Sequence, residues 1–226
     1  MRIIAAGGGG ADDSRLLDEM FASWLGQNSR LLYLPVAMDG IDRSYHQCLD
    51  WLETVFEPYG ITNITMCTEL DQCLKRDIGL YHGIYIGGGN TYRLLSLMRS
   101  AGFDQAILRF AMAGGAVYGG SAGAIILGRE IGTSAHLDLN QVGLKDHQGL
   151  NLLKGYAIWC HYQPSDDELI RNYMERFGFP VLALSESSGI FRQGDQLYAC
   201  GFKEVRIFHS EMLQIARPGE GIPDPQ

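Results

Sequence analysis

The sequence has no run of about 20 consecutive apolar residues, so a membrane-spanning helix is not expected. Positive charge is in short supply. Eighteen Lys and Arg stand against 26 Asp and Glu, a formal charge of -8, which argues against nucleic acid or an anionic membrane as partner and favours a small molecule. Cysteines number five, at 48, 67, 73, 160 and 200, with no C-x-x-C pair and no zinc-finger spacing. The odd number leaves at least one outside any intramolecular disulfide, and a reducing cytoplasm fits best. Met1-Arg2-Ile3-Ile4 runs through only Ala5-Ala6 into glycine, without the apolar stretch of a signal peptide followed by its cleavage site. No internal repeat or low-complexity block divides the 226 residues, and 46% hydrophobic content can fill one core. One domain over 1–216 is expected, with the Pro- and Gly-bearing segment 217–226 disordered. Monomer and homodimer are both compatible with this composition.

Short apolar runs alternate with amphipathic stretches along the chain. Arg2–Ala6, Arg30–Ala37, Ile61–Cys67, Gly83–Ile86, Ala116–Tyr118, Tyr156–Cys160 and Val181–Leu184 read as strands, several apolar enough to be buried on both faces. Helical patterns separate most of them. Phe191–Ala199, broken at Gly194-Asp195, reads as a hairpin and Glu204–Phe208 as a last strand. The expected class is α/β, a doubly wound, mostly parallel sheet with flanking helices and a C-terminal antiparallel hairpin. Ligands of such sheets gather at the carboxyl ends of the strands.

Three glycine-rich turns stand at those ends. Gly7 to Gly10 lacks the third glycine of a dinucleotide fingerprint, since Asp12 and Asp13 stand in its place, and it reads as a turn. Gly87-Gly88-Gly89-Asn90-Thr91 has more glycine than a helix cap needs and can offer free backbone N–H groups. Gly119-Gly120-Ser121-Ala122-Gly123, between a strand and Ala124–Leu127, has the G-x-S-x-G pattern of a nucleophile elbow. Such a turn presents the Ser121 hydroxyl at a strand end and the Ala122 amide at a helix start, where an oxyanion can be stabilised.

A serine hydroxyl needs a base, and the base needs a group to hold its tautomer. Of the six histidines, only His161 directly follows a buried-strand pattern. Glu186, just past the next strand, is one choice for the third group; Asp138 and Asp146, in the long aperiodic stretch 128–155, are the others. A stretch of that length in a compact domain suggests a functional loop or lid. Cys160 beside His161 is expected to face the core, because successive strand residues point to opposite faces.

Gly87-Gly88-Gly89-Asn90-Thr91, Gly120-Ser121-Ala122-Gly123-Ala124, His161 followed by an aromatic, and Leu184-Ser185-Glu186-Ser187, in that order, resemble the dipeptidase E family of serine peptidases, with its aspartyl dipeptidases and cyanophycinase relatives. The resemblance implies a fold like the class I glutamine amidotransferase domain. It also implies Ser121 as nucleophile, His161 as base, Glu186 as its orienter, Gly89 and Ala122 as oxyanion donors, and Gly88 and Asn90 at the substrate. Small peptides would be hydrolysed through an acyl-enzyme, with no metal or other cofactor. Aspartyl dipeptidases carry an arginine-containing segment soon after the histidine, whereas this chain has Pro164-Ser165-Asp166-Asp167-Glu168 there. They also have a loop aspartate near where Ser134 to His136 stand here. An acidic pocket wall would disfavour N-terminal aspartate, so a departure from strict Asp-Xaa cleavage is expected. An esterase or amidase using the same triad, a non-catalytic ligand-binding domain of amidotransferase-like fold and, more distantly, a nucleotide-binding protein are the competing readings.

Overall fold

Alternation along the first strands sorts their side chains between two cores. In the computed structural model, which describes residues 1–38, 43–209 and 212–225, Arg2–Ala6 forms β1, and Ala11–Leu25 forms α1. Arg30–Leu34 is β2, Tyr45–Phe56 is α2, Asn63–Met66 is β3 and Leu70–Cys73 is α3. Gly83–Ile86 (β4), Thr91–Ala101 (α4), Phe103–Met112 (α5), Ala116–Gly120 (β5) and Ala122–Leu127 (α6) complete the first part. Strands β1, β5, β4, β2 and β3 lie side by side in that order, all parallel. Ile3, Ala5, Leu32, Leu34, Ile84 and Ile86 pack with Leu94, Leu95, Phe103 and Ile107 of α4 and α5. Ile4, Ala6, Leu31, Tyr33, Tyr85 and Tyr118 face Leu17 and Phe21 of α1 and Leu52 and Phe56 of α2. Each Leu, Ile or Phe side chain among them contributes about 1.5–3 kcal/mol on full burial, so the period-2 pattern holds helices on both faces.

The second half departs from one continuous sheet. Ala157–Trp159 (β6) and Val181–Ala183 (β7) flank Asp167–Phe177 (α7), followed by Ser188–Gln193 (β8), Gln196–Gly201 (β9) and Val205–His209 (β10). The β8–β9 hairpin takes the free edge of β1, antiparallel, with Ala6 opposite Gly189. With that edge occupied, β6 and β7 pair with each other in parallel, and β7 pairs with β10 in a separate sheet. The hairpin therefore stands where expected, while the strands carrying His161 and Glu186 belong to a smaller layer. Ile158, Leu182 and Ile207 join that layer to the main core.

Two further strands have no counterpart in the sequence reading. Met212–Ala216 (β11) closes the small sheet beside β10, and Gly221–Ile222 (β12) adds to β9. Residues 217–225, expected to be disordered, instead bury Ile222 and place the Pro223 carbonyl 3.0 Å from the Tyr156 hydroxyl. One apolar side chain and one strand pair suffice to anchor a segment whose composition reads as a tail. Gln226 lies outside the described residues.

The stretch 128–155 is strapped down. The buried Glu130 carboxylate accepts from Gly132 N–H and the Tyr173 hydroxyl, both at 2.7 Å, and lies 3.6 Å from His147 Nδ1. Arg99 on α4 donates to the carbonyls of Asp146 and Gln148. Cys67 and Cys73 form a disulfide, a pairing that neither residue's spacing pattern announced, while Cys48, Cys160 and Cys200 are free and buried. No described helix is long and apolar enough to cross a membrane.

Candidate active site

The chain reverses at Ser121 with φ 50° and ψ -113°, a conformation rare for a residue with a side chain. Gly123 permits the turn: a Cβ there would lie 2.2 Å from the Ile86 carbonyl oxygen, so α6 could not start against β4. Ser121 N–H donates to Ala6 O at 3.1 Å, tying the elbow to the end of β1. Its Oγ projects to 2.9 Å from His161 Nε2.

His161 also has positive φ, 54°, just beyond β6. Its N–H donates to Gly7 O at 3.0 Å, which joins the small sheet to the glycine turn after β1. The other ring nitrogen, Nδ1, lies 3.3 Å from Glu186 Oε1. With Nδ1–H donating to the carboxylate, Nε2 is left as an acceptor for the serine proton. The imidazole is 31% exposed and the Glu186 side chain 61%, so water competes for this carboxylate.

The turn Gly7 to Gly10 makes these approaches possible. A Cβ at Gly7 would meet the Ser185 carbonyl oxygen at 1.9 Å, and one at Gly9 the Glu186 carbonyl oxygen at 2.6 Å. The glycines admit the segment that carries Glu186. Asp13 accepts from Gly10 N–H and from the Ser187 hydroxyl, fixing that segment from the α1 side. Four adjacent glycines were the only local trace of this close approach.

Gly88 lies beside Ser121, where an added Cβ would stand 3.2 Å from the serine Cβ. Gly89, at φ 134°, backs onto the Ala37–Met38 peptide. Gly87 N–H is committed to Leu34 O and Asn90 N–H to Ala37 O, and between them the N–H groups of Gly88 and Gly89 have no backbone acceptor among the described residues. Ala122 N–H, at the start of α6, is in the same position. Both ends of the Asn90 amide are engaged within the protein: Oδ1 accepts from Arg93 N–H and Nδ2 donates to Leu139 O.

The alternative acids and bases are elsewhere. Asp138 accepts from Thr91 N–H at 2.8 Å, and Asp146 pairs with Arg99. His136 stacks on Trp159 at 4.1 Å with Nδ1 on the Thr133 carbonyl, and burial pushes its pKa below the usual imidazole value. His147 serves Glu130, and His82 accepts from Arg30 N–H. Cys160 directs its sulfur to the carbonyls of Ser121 and Ala6, at 3.6 and 3.8 Å, and complete burial drives its thiol pKa far up. It is a neutral packing group, as strand alternation implied. Among the described residues no three His, Cys, Asp or Glu converge as metal ligands.

Neighbouring donors hold the acidic run after the histidine. Asp166 accepts from Gln163 N–H and Trp159 Nε1, and Asp167 accepts from the Tyr162 hydroxyl. Asp166 closes a capping box on the 3-10 turn Pro164–Asp166 that leads into α7, and Asp167 and Glu168 stand in the first turn of α7, the ordinary place for acids in a helix.

A serine elbow at the carboxyl edge of a doubly wound sheet is an arrangement found in hydrolases, and comparison with known proteins narrows the class to peptidases. Residues 3–199 match peptidase family S51. Peptidase E of Shewanella denitrificans is 29% identical over 208 residues, covering 86% of this chain and 85% of that protein. The uncharacterized peptidase YgaJ of Bacillus subtilis is 30% identical over 235 residues and covers 93% of each. Among solved structures, a peptidase from an acI-B1 actinobacterium superposes with a TM-score of 0.73 at 17% identity, over 98% of this chain and 96% of that one. The chain belongs to peptidase family S51, and it shares its fold with that actinobacterial peptidase.

Proposed function

We propose that this peptidase hydrolyses small peptides with Ser121 as nucleophile, His161 as general base and Glu186 as the group that orients it. The observation that carries the reading is the 2.9 Å contact between Ser121 Oγ and His161 Nε2 at a strained elbow. In the reaction, Oγ attacks the peptide carbonyl as its proton passes to Nε2, and the tetrahedral oxyanion takes hydrogen bonds from Ala122 N–H and from the Gly88–Gly89 turn, with Gly89 as the second donor. His161 then protonates the departing amine. The acyl-enzyme is released when the same imidazole deprotonates water. Glu186 holds Nδ1–H and stabilises the imidazolium. The chemistry uses only groups of the chain, with Gly88 against the substrate.

A cytoplasmic setting is part of the same reading. The Cys67–Cys73 disulfide is the one observation that runs against a reducing compartment.

The test is hydrolysis of a dipeptide library and matching esters by wild type and Ser121→Ala in parallel. The variant should fold normally and lose several powers of ten in turnover. Retention of more than a few per cent by pure variant would refute the nucleophile, and turnover of esters alone would move the enzyme to the esterases.

A further inference from the structure

Beside Ser121 opens a cavity of about 360 Å³, and its walls differ in character from the glycine turns at its mouth. Tyr33, Tyr85, Trp51, Met38 and Cys48 supply its larger side chains, and Arg43 is its single charged lining residue among those described. The phenols of Tyr33 and Tyr85 sit in buried residues, and desolvation pushes both pKa values upward, so they remain neutral hydroxyls. Their rings meet edge to face at 5.7 Å, and Trp51 meets Tyr85 in the same way at 6.4 Å. The rings brace one another, which makes the surface preformed. A ring-lined wall of this volume, bearing the Tyr33 and Tyr85 hydroxyls, suits one large side chain. It is far roomier than the carboxymethyl group of aspartate requires.

Position relative to the histidine decides which part of the substrate enters. The departing amine must collect its proton from His161, so it leaves over the imidazole. The cavity is lined by Gly8 to Gly10, Gly87, Gly88, Gly120 and Ser121; Gly8 borders the imidazole of His161, but the ring itself is not among the lining residues. It therefore lies on the acyl side of the scissile bond. Arg43, just ahead of the Ser44 cap of α2, is exposed at the rim. A guanidinium there can donate to an oxygen at the far end of a long side chain, or stack on a ring.

Resting on the serine-peptidase reading, we propose that this cavity is a specificity subsite for an aromatic residue on the acyl side of the cleaved bond, seated against Trp51 and Tyr85, with Arg43 favouring tyrosine over phenylalanine.

The experiment compares kcat/KM for Xaa-Ala dipeptides, with Xaa as Tyr, Phe, Leu, Ala or Asp, in wild type, Trp51→Ala and Arg43→Met. Phe-Ala and Tyr-Ala should exceed Ala-Ala by roughly tenfold or more, the scale on which apolar pockets discriminate. Trp51→Ala should compress the Phe-to-Ala ratio, and Arg43→Met should lower the Tyr-to-Phe ratio. Equal values for Phe-Ala and Ala-Ala, or Asp-Ala as the best substrate, would overturn the proposal. So would ratios unchanged in folded Trp51→Ala. The wild-type panel decides even where the tryptophan variant fails to fold. Absence of dipeptide turnover in the wild type is a distinct result, which would overturn the peptidase reading and the subsite with it.

Discussion

The imidazole of His161 occupies the space that a side chain on Gly8 would fill. A Cβ built at Gly8 would lie 2.4 Å from Cε1 and 2.5 Å from Nε2, and 3.0 Å from Ser121 Cβ. A single backbone position thus sets the room for both partners of the 2.9 Å contact.

Gly8→Ala should therefore act on activity more than on folding. The residue has φ 107°, which an alanine adopts only with strain, and its methyl group would push the ring away from Ser121. A displacement of about 1 Å in a reacting pair can cost on the order of 10² in rate. Expected are a loss of at least that size in kcat and a folded circular dichroism spectrum. Wild-type kcat in Gly8→Ala would show that the imidazole works from another position.

Glu186 and the loop aspartates separate by what each touches. Glu186 Oε1 lies 3.3 Å from His161 Nδ1, whereas the Asp138 carboxylate is engaged by Thr91 N–H and Asp146 by Arg99. A buried carboxylate behind a catalytic histidine can be worth about 10⁴ in kcat. Glu186 is largely solvated, so Glu186→Gln should cost less, about 10². Asp138→Asn keeps an oxygen for Thr91 N–H and should stay within a few fold of wild type. Steady-state kinetics of the two variants checks the order, and a greater loss in Asp138→Asn would transfer the orienting role to the loop.

Much of this site was legible because its signals are local. An apolar strand ending in glycine and serine, and a histidine directly after another such strand, mark positions that the fold brings to one edge. The assignment of strands to sheets had no local signal. Whether β6 or β8 pairs with β1 depends on contacts between residues more than a hundred positions apart, and Gly189 facing Ala6 across the ladder is one of them. Gly7 to Gly10 announced a tight turn, but the segment that needed the room, Ser185-Glu186, lies far along the chain. The partners of Asp166 and Asp167 had no local signal either. A charge run looks the same whether it lines a pocket or caps a helix, and only the donors Gln163 N–H, Trp159 Nε1 and Tyr162 hydroxyl distinguish the two. The subsite was hidden similarly, since Tyr33, Trp51 and Tyr85 come from β2, α2 and β4 and read separately as core.

Asp18 on α1 links stability to pH, away from the reacting groups. Its carboxyl is 1% exposed; Oδ2 accepts from the Ser14 hydroxyl at 2.7 Å, and Oδ1 has no hydrogen-bond partner among the described residues. Burial raises its pKa from 3.8 to about 6, against smaller opposing effects of the Ser14 and Tyr118 hydroxyls. The folded state therefore favours the neutral acid. Below pH 3.8 both states hold the proton and the native structure bears no charge penalty at this site. As pH rises from there through 6, the unfolded chain ionises first and stability falls, then levels off above the folded pKa. At 1.36 kcal/mol per pH unit, the interval from 3.8 to about 6 amounts to about 3 kcal/mol. Asp18→Asn keeps the shape and removes the titration. Urea unfolding at pH 4 and pH 8 should show the wild type losing about 2 kcal/mol more than Asp18→Asn between the two conditions. Equal losses in both proteins would mean that Asp18 ionises inside the folded protein as readily as in water, with Ser14 and its surroundings supplying the solvation that burial removes.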